Sequence, residues 1–375
     1  MARRKKGNDN DLYFTWDYLL SQVDRNGNVP SIFIAASRVR GPGKTYSMIT
    51  QILNAFMGIE CALSKLIGEG KKFCLMCRNV SEVGNIAEGM MHAVLQDQWP
   101  DTAVEEIKHM QGAFSEIIWK HGKGENMETY SVGYVVPLNS SVKIKRISSM
   151  FADVGCIFFD EFVSEDGVYV GKEITKFQSI QNSMARGSSK DTDGGKHVRY
   201  LPVMMACNCI DVTNPYYVEF GLISQLQDNT KLYKGDYLVY QRCDNINAAK
   251  RQRESGFNQA FKRSNYAGEQ GYLAQNNLGV RNKPGDDWGD GEYSATLINS
   301  DEKFGVWYYP ESGIVYVTHS VDMTGRFKYS LTADGMPNTE FIKRSAYFQG
   351  LRDAFCEGRM RFKSAKCKQI IADIM

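Results

Sequence analysis

The chain has 375 residues, a formal net charge of +2 and nine cysteines scattered along its length. This length predicts two or three domains with cores of their own, and the balanced charge excludes a global electrostatic argument for a nucleic-acid partner. The odd number of dispersed cysteines excludes a disulfide framework, and no stretch reaches the roughly 20 apolar residues of a membrane span, so we expect a soluble, intracellular protein.

The first informative segment is an apolar run at residues 32–36 that leads into the sequence RGPGKT at residues 40–45. The run has the length of a buried strand, and the apolar residues after Thr45 recur at helical spacing up to Gly58. A strand, a glycine-rich turn and a helix in this order predict a phosphate-binding loop.

The residues of this loop have the chemistry that a nucleoside triphosphate requires. Gly41 and Gly43 allow backbone N–H groups to turn towards an anion. Lys44 would reach the β- and γ-phosphates, Thr45 would hold Mg²⁺, and the start of the new helix would favour the negative charge. Arg38 stands where the usual motif begins with glycine.

The segments that follow alternate between strand-like and helix-like patterns, which is typical of a mostly parallel sheet between helices. We predict strands at residues 73–77, 154–159 and 200–207, helices at residues 81–99 and 173–184, and an antiparallel insertion at residues 112–138. The first 220 residues therefore predict an α/β domain.

Polar residues follow two of these strands directly. The strand at 154–159 ends in Asp160 and Glu161. In a chain with a phosphate-binding loop upstream, Asp160 can bind the water shell of Mg²⁺. Glu161 is then free to polarise the water that attacks the nucleotide. The strand at 200–207 ends in Asn208, which has two open interpretations: a sensor of the γ-phosphate that couples hydrolysis to movement, or a turn-forming residue.

Arg186 follows the helix at 173–184 and precedes a Gly- and Ser-rich stretch at residues 187–197. This position suits the role of an arginine finger, which contacts the phosphates of the nucleotide bound to a neighbouring subunit. The alternative is a helix-terminal residue whose charge complements the helix dipole.

The second half of the chain has a different pattern. Residues 219–290 are polar and weakly periodic, so they predict either a small helical domain or irregular structure. A β-hairpin follows over residues 304–318, and helices are predicted at residues 339–357 and 365–375. Residues 341–375 carry eight Lys and Arg against three acids, which favours contact with a polyanion.

Together these features resemble the DNA-encapsidation ATPases of small protein-primed tailed phages, the phi-29 group of packaging motors. The resemblance spans nearly the whole chain in one order and is weakest at about residues 222–290. It rests on five blocks: RGPGKT followed by Tyr46; Asp160, Glu161 and Phe162 after an apolar strand; Asn208 with Val212, Asn214, Pro215 and Tyr216; the sequence FGVW at 304–307; and GRMRF at 358–362.

The resemblance implies an α/β fold with three domains. Residues 1–222 would form a P-loop ATPase domain of the additional-strand type with a catalytic Glu. Residues 223–289 would form a small linker domain. Residues 290–375 would form an RNase H-like domain, a vestigial nuclease that binds DNA.

The resemblance also implies a set of nucleotide-site residues. Thr45 and Asp160 would hold Mg²⁺ through water, Glu161 would be catalytic, and Asn208 would be the coupling residue. The residues in contact with ATP would be Arg40, Gly41, Gly43, Lys44, Thr45 and Tyr46.

Two basic positions would act across a subunit boundary. The resemblance implies that Arg186 is a trans-acting finger, and that Arg146 or Lys145 is a second trans-acting cation. Such residues require a homo-oligomeric ring, for which the family implies five subunits. The ring would dock at the portal of an empty capsid in the host cytoplasm and move double-stranded viral DNA inward, with no membrane partner. Family members also use a packaging RNA, for which the sequence itself carries no sign.

Nuclease activity is the main rival function. An RNase H-like nuclease needs clustered carboxylates, one of them on the first, central strand, to bind two metal ions. We expect residues 304–309 to form that strand, and they include no acid. Asp322 and Asp334 would then be surface residues, and the domain would hold DNA without cutting it. A cutting terminase, another translocase or helicase, and a slow nucleotide-dependent scaffold remain as alternatives.

Overall fold

This computed structural model describes residues 13–37, 41–122, 126–164, 169–186, 199–208, 214–222, 225–226, 230–243, 254, 260, 280–281, 283–300, 302–322, 324–333, 338–356 and 359–374. The chain divides into two compact units. The first comprises Met1–Ile210 with Lys231–Tyr272, and the second comprises Asp211–Thr230 with Leu273–Met375.

The first unit is built on a nine-stranded sheet whose order is β3-β4-β5-β2-β6-β7-β1-β9-β8. The strands from β5 to β9 in this order run parallel, whereas β3 and β4 at one edge and β8 at the other pair antiparallel. The strands are β1 (Ile32–Ser37), β2 (Lys72–Cys77), β3 (Thr102–His109), β4 (Phe114–His121), β5 (Glu128–Pro137), β6 (Val154–Phe159), β7 (Val203–Asn208), β8 (Leu232–Lys234) and β9 (Leu238–Arg242).

Helices cover both faces of this sheet. Alternate strand residues such as Phe33, Leu75 and Phe158 form one apolar core with the helices on one face. On the other face, Phe177 stacks on Phe159 with ring centroids 6.2 Å apart. Among the described residues, the helices of the unit are α1 (Asp17–Leu20), α2 (Lys44–Phe56), α3 (Ala62–Ile67), α4 (Ile86–Gln98), α5 (Ser141–Arg146) and α6 (Glu173–Ala185).

The predicted strand–loop–helix order and the antiparallel insertion are confirmed, because β1 precedes α2 and because β3, β4 and β5 pair antiparallel. The linker domain predicted at 223–289 differs from the structure in one respect: β8 and β9 belong to the first unit's sheet, where β9 pairs parallel with β1. The sequence pattern of β9 was weak because this strand is short, and its partner β1 lies about 200 residues earlier in the chain. Most of the predicted linker lies outside the described residues.

The second unit contains a six-stranded sheet with the order β14-β13-β10-β11-β12-β15. The first three strands in the chain, β10, β11 and β12, pair antiparallel with one another in that order. The strand β13 pairs parallel with the other side of β10, and β14 pairs parallel with β13. This is the strand order of the RNase H-like fold that the resemblance implied. The strands are β10 (Glu292–Asn299), β11 (Glu302–Tyr309), β12 (Ile314–Thr318), β13 (Lys328–Ser330), β14 (Glu340–Phe341) and β15 (Met360–Phe362).

Three helices of this unit lie among the described residues: α7 (Pro215–Glu219), α8 (Ala346–Cys356) and α9 (Ala365–Ile374). Residues of α8 and α9, such as Leu351 and Ile371, join the core formed by one face of the sheet. The hairpin predicted over 304–318 is confirmed as β11 and β12. The helix predicted from residue 339 starts only at Ala346, after β14 and a 3₁₀ turn.

The prediction that residues 304–309 form the first, central strand of this unit is wrong. That place belongs to β10, which lies between β11 and β13. The pattern of β10 was harder to recognise because it opens on Glu292 and its ladder contains an irregularity between Tyr293 and Ala295.

Three acids bear on nuclease activity in this unit, one on β10 and the two considered above. Glu292, the only acid of β10, is exposed at its first position. Asp322 accepts hydrogen bonds from the N–H (2.8 Å) and the hydroxyl (2.6 Å) of Thr324, which hold the pKa of its carboxyl below the usual value. Asp334 lies outside the described residues. Across the described part of the chain, no three His, Cys, Asp or Glu residues are grouped as metal ligands.

No helix in the described part of the chain combines the length and the apolar character needed to cross a bilayer.

Candidate nucleotide-binding cleft

The phosphate-binding loop adopts the backbone conformation that its glycines permit. Gly41 and Gly43 have φ values of +70° and +95°, in the left-handed region that glycine enters without strain. Gly43 is the N-cap of α2, so the unpaired N–H groups of the first helical turn follow it directly. A 13-residue helix that begins in this way offers N–H donors and a positive dipole end to an anion. Arg38 and Arg40 lie outside the described residues.

The segment at residues 14–16, which precedes β1 in the chain, supports this loop through hydrogen bonds. The N–H of Phe14 donates to the carbonyl of Pro42 at 2.8 Å. The indole Nε1 of Trp16 donates to the carbonyl of Lys44 at 2.9 Å, and the Trp16 N–H donates to Ser47 Oγ at 3.1 Å. Trp16 is fully buried, so this support belongs to the core. This support was not predicted, although residues 13–16 include three aromatic residues.

Lys44 and Asn208 meet where β1 and β7 end. The two strands are parallel neighbours, with Ser37 as the register partner of Asn208. Lys44 is a buried residue, 6% exposed, and its ammonium donates to Asn208 Oδ1 at 3.0 Å. Asn208 is the last residue of β7, and its side-chain amide contacts the loop lysine. This position is compatible with a residue that senses the phosphates.

Thr45 and Asp160 form the second pair. The Thr45 hydroxyl donates to a carboxylate oxygen of Asp160, which follows β6 directly. Burial raises the pKa of Asp160, while the Thr45 hydroxyl, the Lys44 charge and the Glu161 N–H act in the opposite direction. A hydroxyl and a carboxylate in contact are the hard oxygen donors that Mg²⁺ prefers, so these two residues fit a magnesium ion.

Glu161 sits on a sharp turn. Its φ is +49°, a left-handed conformation that is uncommon outside glycine and often marks functional positions. Its N–H donates to Asp160 Oδ1 at 3.0 Å, and the next residue, Phe162, donates its N–H to the carbonyl of Ala206 at 3.2 Å. The backbone is thus fixed on both sides of Glu161, whose exposed side chain lines the cleft.

Arg78, the residue after β2, holds this turn and was not predicted. Its guanidinium donates to the carbonyls of Glu161 (2.8 Å) and Phe162. The same group forms an ion pair at 3.2 Å with Glu173, which is 4% exposed at the start of α6. It also lies over the ring of Tyr169, 5.2 Å from the centroid. An arginine directly after a buried strand, at the edge where the other polar residues gather, was the available signal.

The phosphate-binding loop lines one cleft of about 1190 Å³, together with the residues that end β6 and β7. The cleft lies at the carboxyl edge of the parallel strands, the usual place for ligands in open α/β sheets. The predicted residues brought together there are Gly41, Gly43, Lys44, Thr45, Tyr46, Asp160, Glu161 and Asn208.

The two predicted finger positions lie elsewhere. Arg186 is the exposed C-cap residue of α6, and the stretch at 187–198 that follows it is outside the described residues. Arg146 and Lys145 are exposed in the last turn of α5. None of the three is among the residues that line the cleft of their own chain.

A family model described as podovirus DNA encapsidation protein (Gp16) matches residues 8–375 of this sequence. The chain belongs to this family. The predicted function in viral DNA encapsidation is therefore confirmed at the level of the family.

Two relatives of this family member show how far its sequence has diverged. The DNA packaging protein of Bacillus phage PZA is 21% identical over 345 residues, which cover 89% of this chain and 90% of the relative. The DNA packaging protein of Bacillus phage phi29 is 20% identical over 345 residues with the same coverage.

A solved structure is similar over nearly the whole chain. It is a chain of the bacteriophage phi-29 viral genome packaging motor assembly, 18% identical, with a TM-score of 0.56 over 97% of this chain and 98% of that one. This similarity shows that the fold is shared.

Proposed function

We propose that this chain is an ATPase whose hydrolysis cycle in the cleft drives double-stranded viral DNA into a capsid. The observation that carries the proposal is the convergence of Lys44, Thr45, Asp160, Glu161 and Asn208 on one cleft at the start of α2. This set includes a phosphate-binding cation, two oxygen ligands for Mg²⁺ and a carboxylate for the attacking water.

Each residue has a specific task in this proposal. The N–H groups at the start of α2 bind the phosphates, and Lys44 neutralises charge on the β- and γ-phosphates. Thr45 and Asp160 hold Mg²⁺, which when bound supplies positive charge that stabilises the transferring phosphoryl group. Glu161 orients the attacking water and accepts its proton.

Asn208 is proposed as the residue that senses the nucleotide. Its amide oxygen holds the Lys44 ammonium at 3.0 Å. A γ-phosphate competes for that ammonium, so nucleotide binding would change the partner of Asn208 at the tip of β7. Such an exchange of partners is a local event that can bias a larger movement.

Completion of the site is proposed to require a neighbouring subunit. Arg186 and either Arg146 or Lys145 are exposed cations of this chain that do not line its own cleft. A guanidinium supplied in trans stabilises the charge of the transition state. A closed ring, expected to have five subunits, would give every cleft such a donor.

The working place of this ring is proposed to be the portal of an empty capsid in the host cytoplasm. The similar phi-29 structure is a viral genome packaging motor assembly, which supports a motor that acts with other components. A packaging RNA between portal and motor remains part of the proposal.

The second unit is proposed to bind DNA without cutting it. The basic surplus of residues 341–375 supports DNA binding. The central strand β10 has its only acid at its exposed first position, which supports a domain without a first-strand metal ligand. Nicking of supercoiled plasmid by the full chain with Mn²⁺ would restore the nuclease alternative.

The proposal is tested by ATP hydrolysis of the full chain with Mg²⁺ and different nucleic acids. Double-stranded DNA should stimulate hydrolysis more than single-stranded DNA, which separates a packaging motor from most helicases. Lys44→Ala should abolish tight ATP binding in calorimetry, because the ammonium is the main charge partner of the phosphates. Unchanged ATP affinity in Lys44→Ala would show that the phosphate-loop assignment is wrong.

A further inference from the structure

The cleft extends beyond the phosphate-binding loop along α2. Tyr46, Thr50 and Asn54 recur every four residues, so they share one face of this helix, and all three line the cleft. The helix rises about 12 Å over the eight steps from Tyr46 to Asn54. Asp97 and Gln98, at the end of α4, line the same part of the cleft. This polar extension offers room for the nucleoside that a triphosphate carries.

A small hydrogen-bond cluster joins α2 to α4 in this extension. The Tyr46 hydroxyl donates to Asp97 Oδ2 at 2.9 Å, and Gln98 Nε2 donates to Thr50 Oγ1 at 3.2 Å. Burial raises the pKa of Tyr46; Gln98 opposes the shift and Asp97 adds to it, so the hydroxyl keeps its proton and remains a donor. Because Tyr46 follows Thr45 directly, the Asp97 carboxylate is held beside the residues that would bind the phosphates.

One carboxylate oxygen of Asp97 is available within the described part of the chain. Its Oδ2 accepts from Tyr46, whereas its Oδ1 accepts no hydrogen bond from the described residues, and the carboxylate forms no ion pair with them. Another acid that lines the cleft, Glu60, instead forms an ion pair at 2.8 Å with Lys65. Asp97 thus presents an acceptor that is fixed in position and available to a ligand hydroxyl.

We propose that Asp97 makes this site selective for ribonucleoside triphosphates, by accepting a hydrogen bond from a ribose hydroxyl while Tyr46 holds its carboxylate in place. The inference rests on the proposed ATPase function. A carboxylate that accepts from the 2′-hydroxyl is a common ribose contact in dinucleotide sites, and hydrogen bonds to an ionised acceptor are stronger than neutral ones. A deoxyribonucleotide lacks that hydroxyl and leaves the carboxylate without this partner.

The test compares the affinities of ATP, dATP and inorganic tripolyphosphate for the full chain, by titration calorimetry with Mg²⁺. The unaltered chain should bind ATP about 10-fold or more tightly than dATP, the size expected for one hydrogen bond to a charged group. Asp97→Ala should reduce that ratio to about 2 or less and leave tripolyphosphate affinity unchanged. Glu88→Ala is the matched control, because it removes an exposed acid from the same helix α4 outside the cleft.

Failure of the inference and failure of the proposed function give different results. If Lys44→Ala binds both nucleotides as well as the unaltered chain does, the proposed nucleotide site is wrong. If Lys44→Ala weakens both, then equal affinity of the unaltered chain for ATP and dATP, or an unchanged ratio in Asp97→Ala, overturns the ribose assignment alone. Should Asp97→Ala fail to fold, Tyr46→Phe serves instead, because it removes the hydroxyl that holds the Asp97 carboxylate in place and should likewise lower the ratio of ATP to dATP affinity.

Discussion

The Lys44 ammonium donates a hydrogen bond to Asn208 Oδ1 across the edge of the large sheet, at 3.0 Å. The two residues belong to neighbouring elements, since α2 follows β1 and Asn208 ends β7, the parallel partner of β1. The contact gives the proposed phosphate-binding cation a neutral partner. A neutral amide holds the ammonium in place without cancelling its charge.

The neutrality of this partner can be tested by substitution. Asn208→Asp should weaken ATP binding at least about 10-fold, because a carboxylate pairs with Lys44 and repels the phosphates. Asn208→Ala, which removes the amide without adding charge, should change ATP affinity by less than about 3-fold and mainly lower turnover. Calorimetry and steady-state hydrolysis measure both effects. Equal ATP affinity for the two variants would contradict the role assigned to the contact.

The buried Asp160 carboxylate should lower the stability of the nucleotide-free protein although the proposed activity requires it. Burial raises its pKa, so the native state holds this proton more tightly than the unfolded chain does. The contribution of this group to stability is therefore greatest when the carboxyl is protonated, and it decreases as the pH rises from the unfolded pKa of about 3.9 towards the raised native value. At pH 7 the ionised carboxylate destabilises the nucleotide-free protein.

Asp160→Asn should consequently raise the melting temperature at pH 7 without nucleotide or Mg²⁺, by about 2–4 °C for each kcal/mol relieved. The same variant should lose hydrolysis. Glu161→Gln, at the exposed neighbouring position, is the control and should melt like the unaltered chain. A lower melting temperature for Asp160→Asn would show that its carboxylate stabilises the native state.

The parts of the site that sequence patterns predicted are those with strong local signals. The apolar runs of β1, β6 and β7 identified the strands, and the polar residues behind them, such as Lys44, Asp160 and Asn208, followed from strand direction. Arg78 and Trp16 were missed because each holds the site through hydrogen bonds to backbone carbonyls. A carbonyl acceptor leaves no mark on the sequence, so such contacts appear only once the fold brings the segments together.

The fold shows the same limit. The β11–β12 hairpin was predicted because its pairing is local and its turn is short. The central position of β10 and the addition of β9 to the large sheet depend on parallel pairings between distant segments. Such pairings are specified by tertiary packing, which periodicity alone does not encode.

Arg78 should contribute to both stability and turnover. Arg78→Ala leaves the buried Glu173 carboxylate without its guanidinium, which should lower the free energy of unfolding by about 3 kcal/mol. It also releases the turn that carries Glu161, so turnover should fall while ATP affinity stays unchanged. Urea unfolding and single-turnover hydrolysis measure the two effects.

A matched control is available at another arginine of the same unit. Arg25 forms an exposed ion pair with Asp236, so Arg25→Ala should cost no more than about 1 kcal/mol and leave turnover unchanged. Equal losses of stability for the two variants would show that the Glu173 pair behaves as a surface contact.

The proposed trans role of Arg186 has a distinctive signature in mixed rings. Arg186→Ala subunits keep Glu161, and Glu161→Gln subunits keep Arg186. At a boundary between them, an intact finger can face an intact Glu161, so mixing two inactive variants should restore part of the hydrolysis rate. A rate that stays at background at every mixing ratio would refute the trans assignment. The same design applies to Arg146 and Lys145.

The central claim is that hydrolysis at Glu161 drives DNA encapsidation, and a DNase-protection assay tests it most directly. Empty capsids, viral DNA, ATP and Mg²⁺ are combined with the unaltered chain or with Glu161→Gln, which should bind ATP normally but turn it over about 10²–10⁴-fold more slowly. The account predicts genome-length protected DNA with the unaltered chain and none with Glu161→Gln. Equal amounts of protected DNA with both proteins would contradict it.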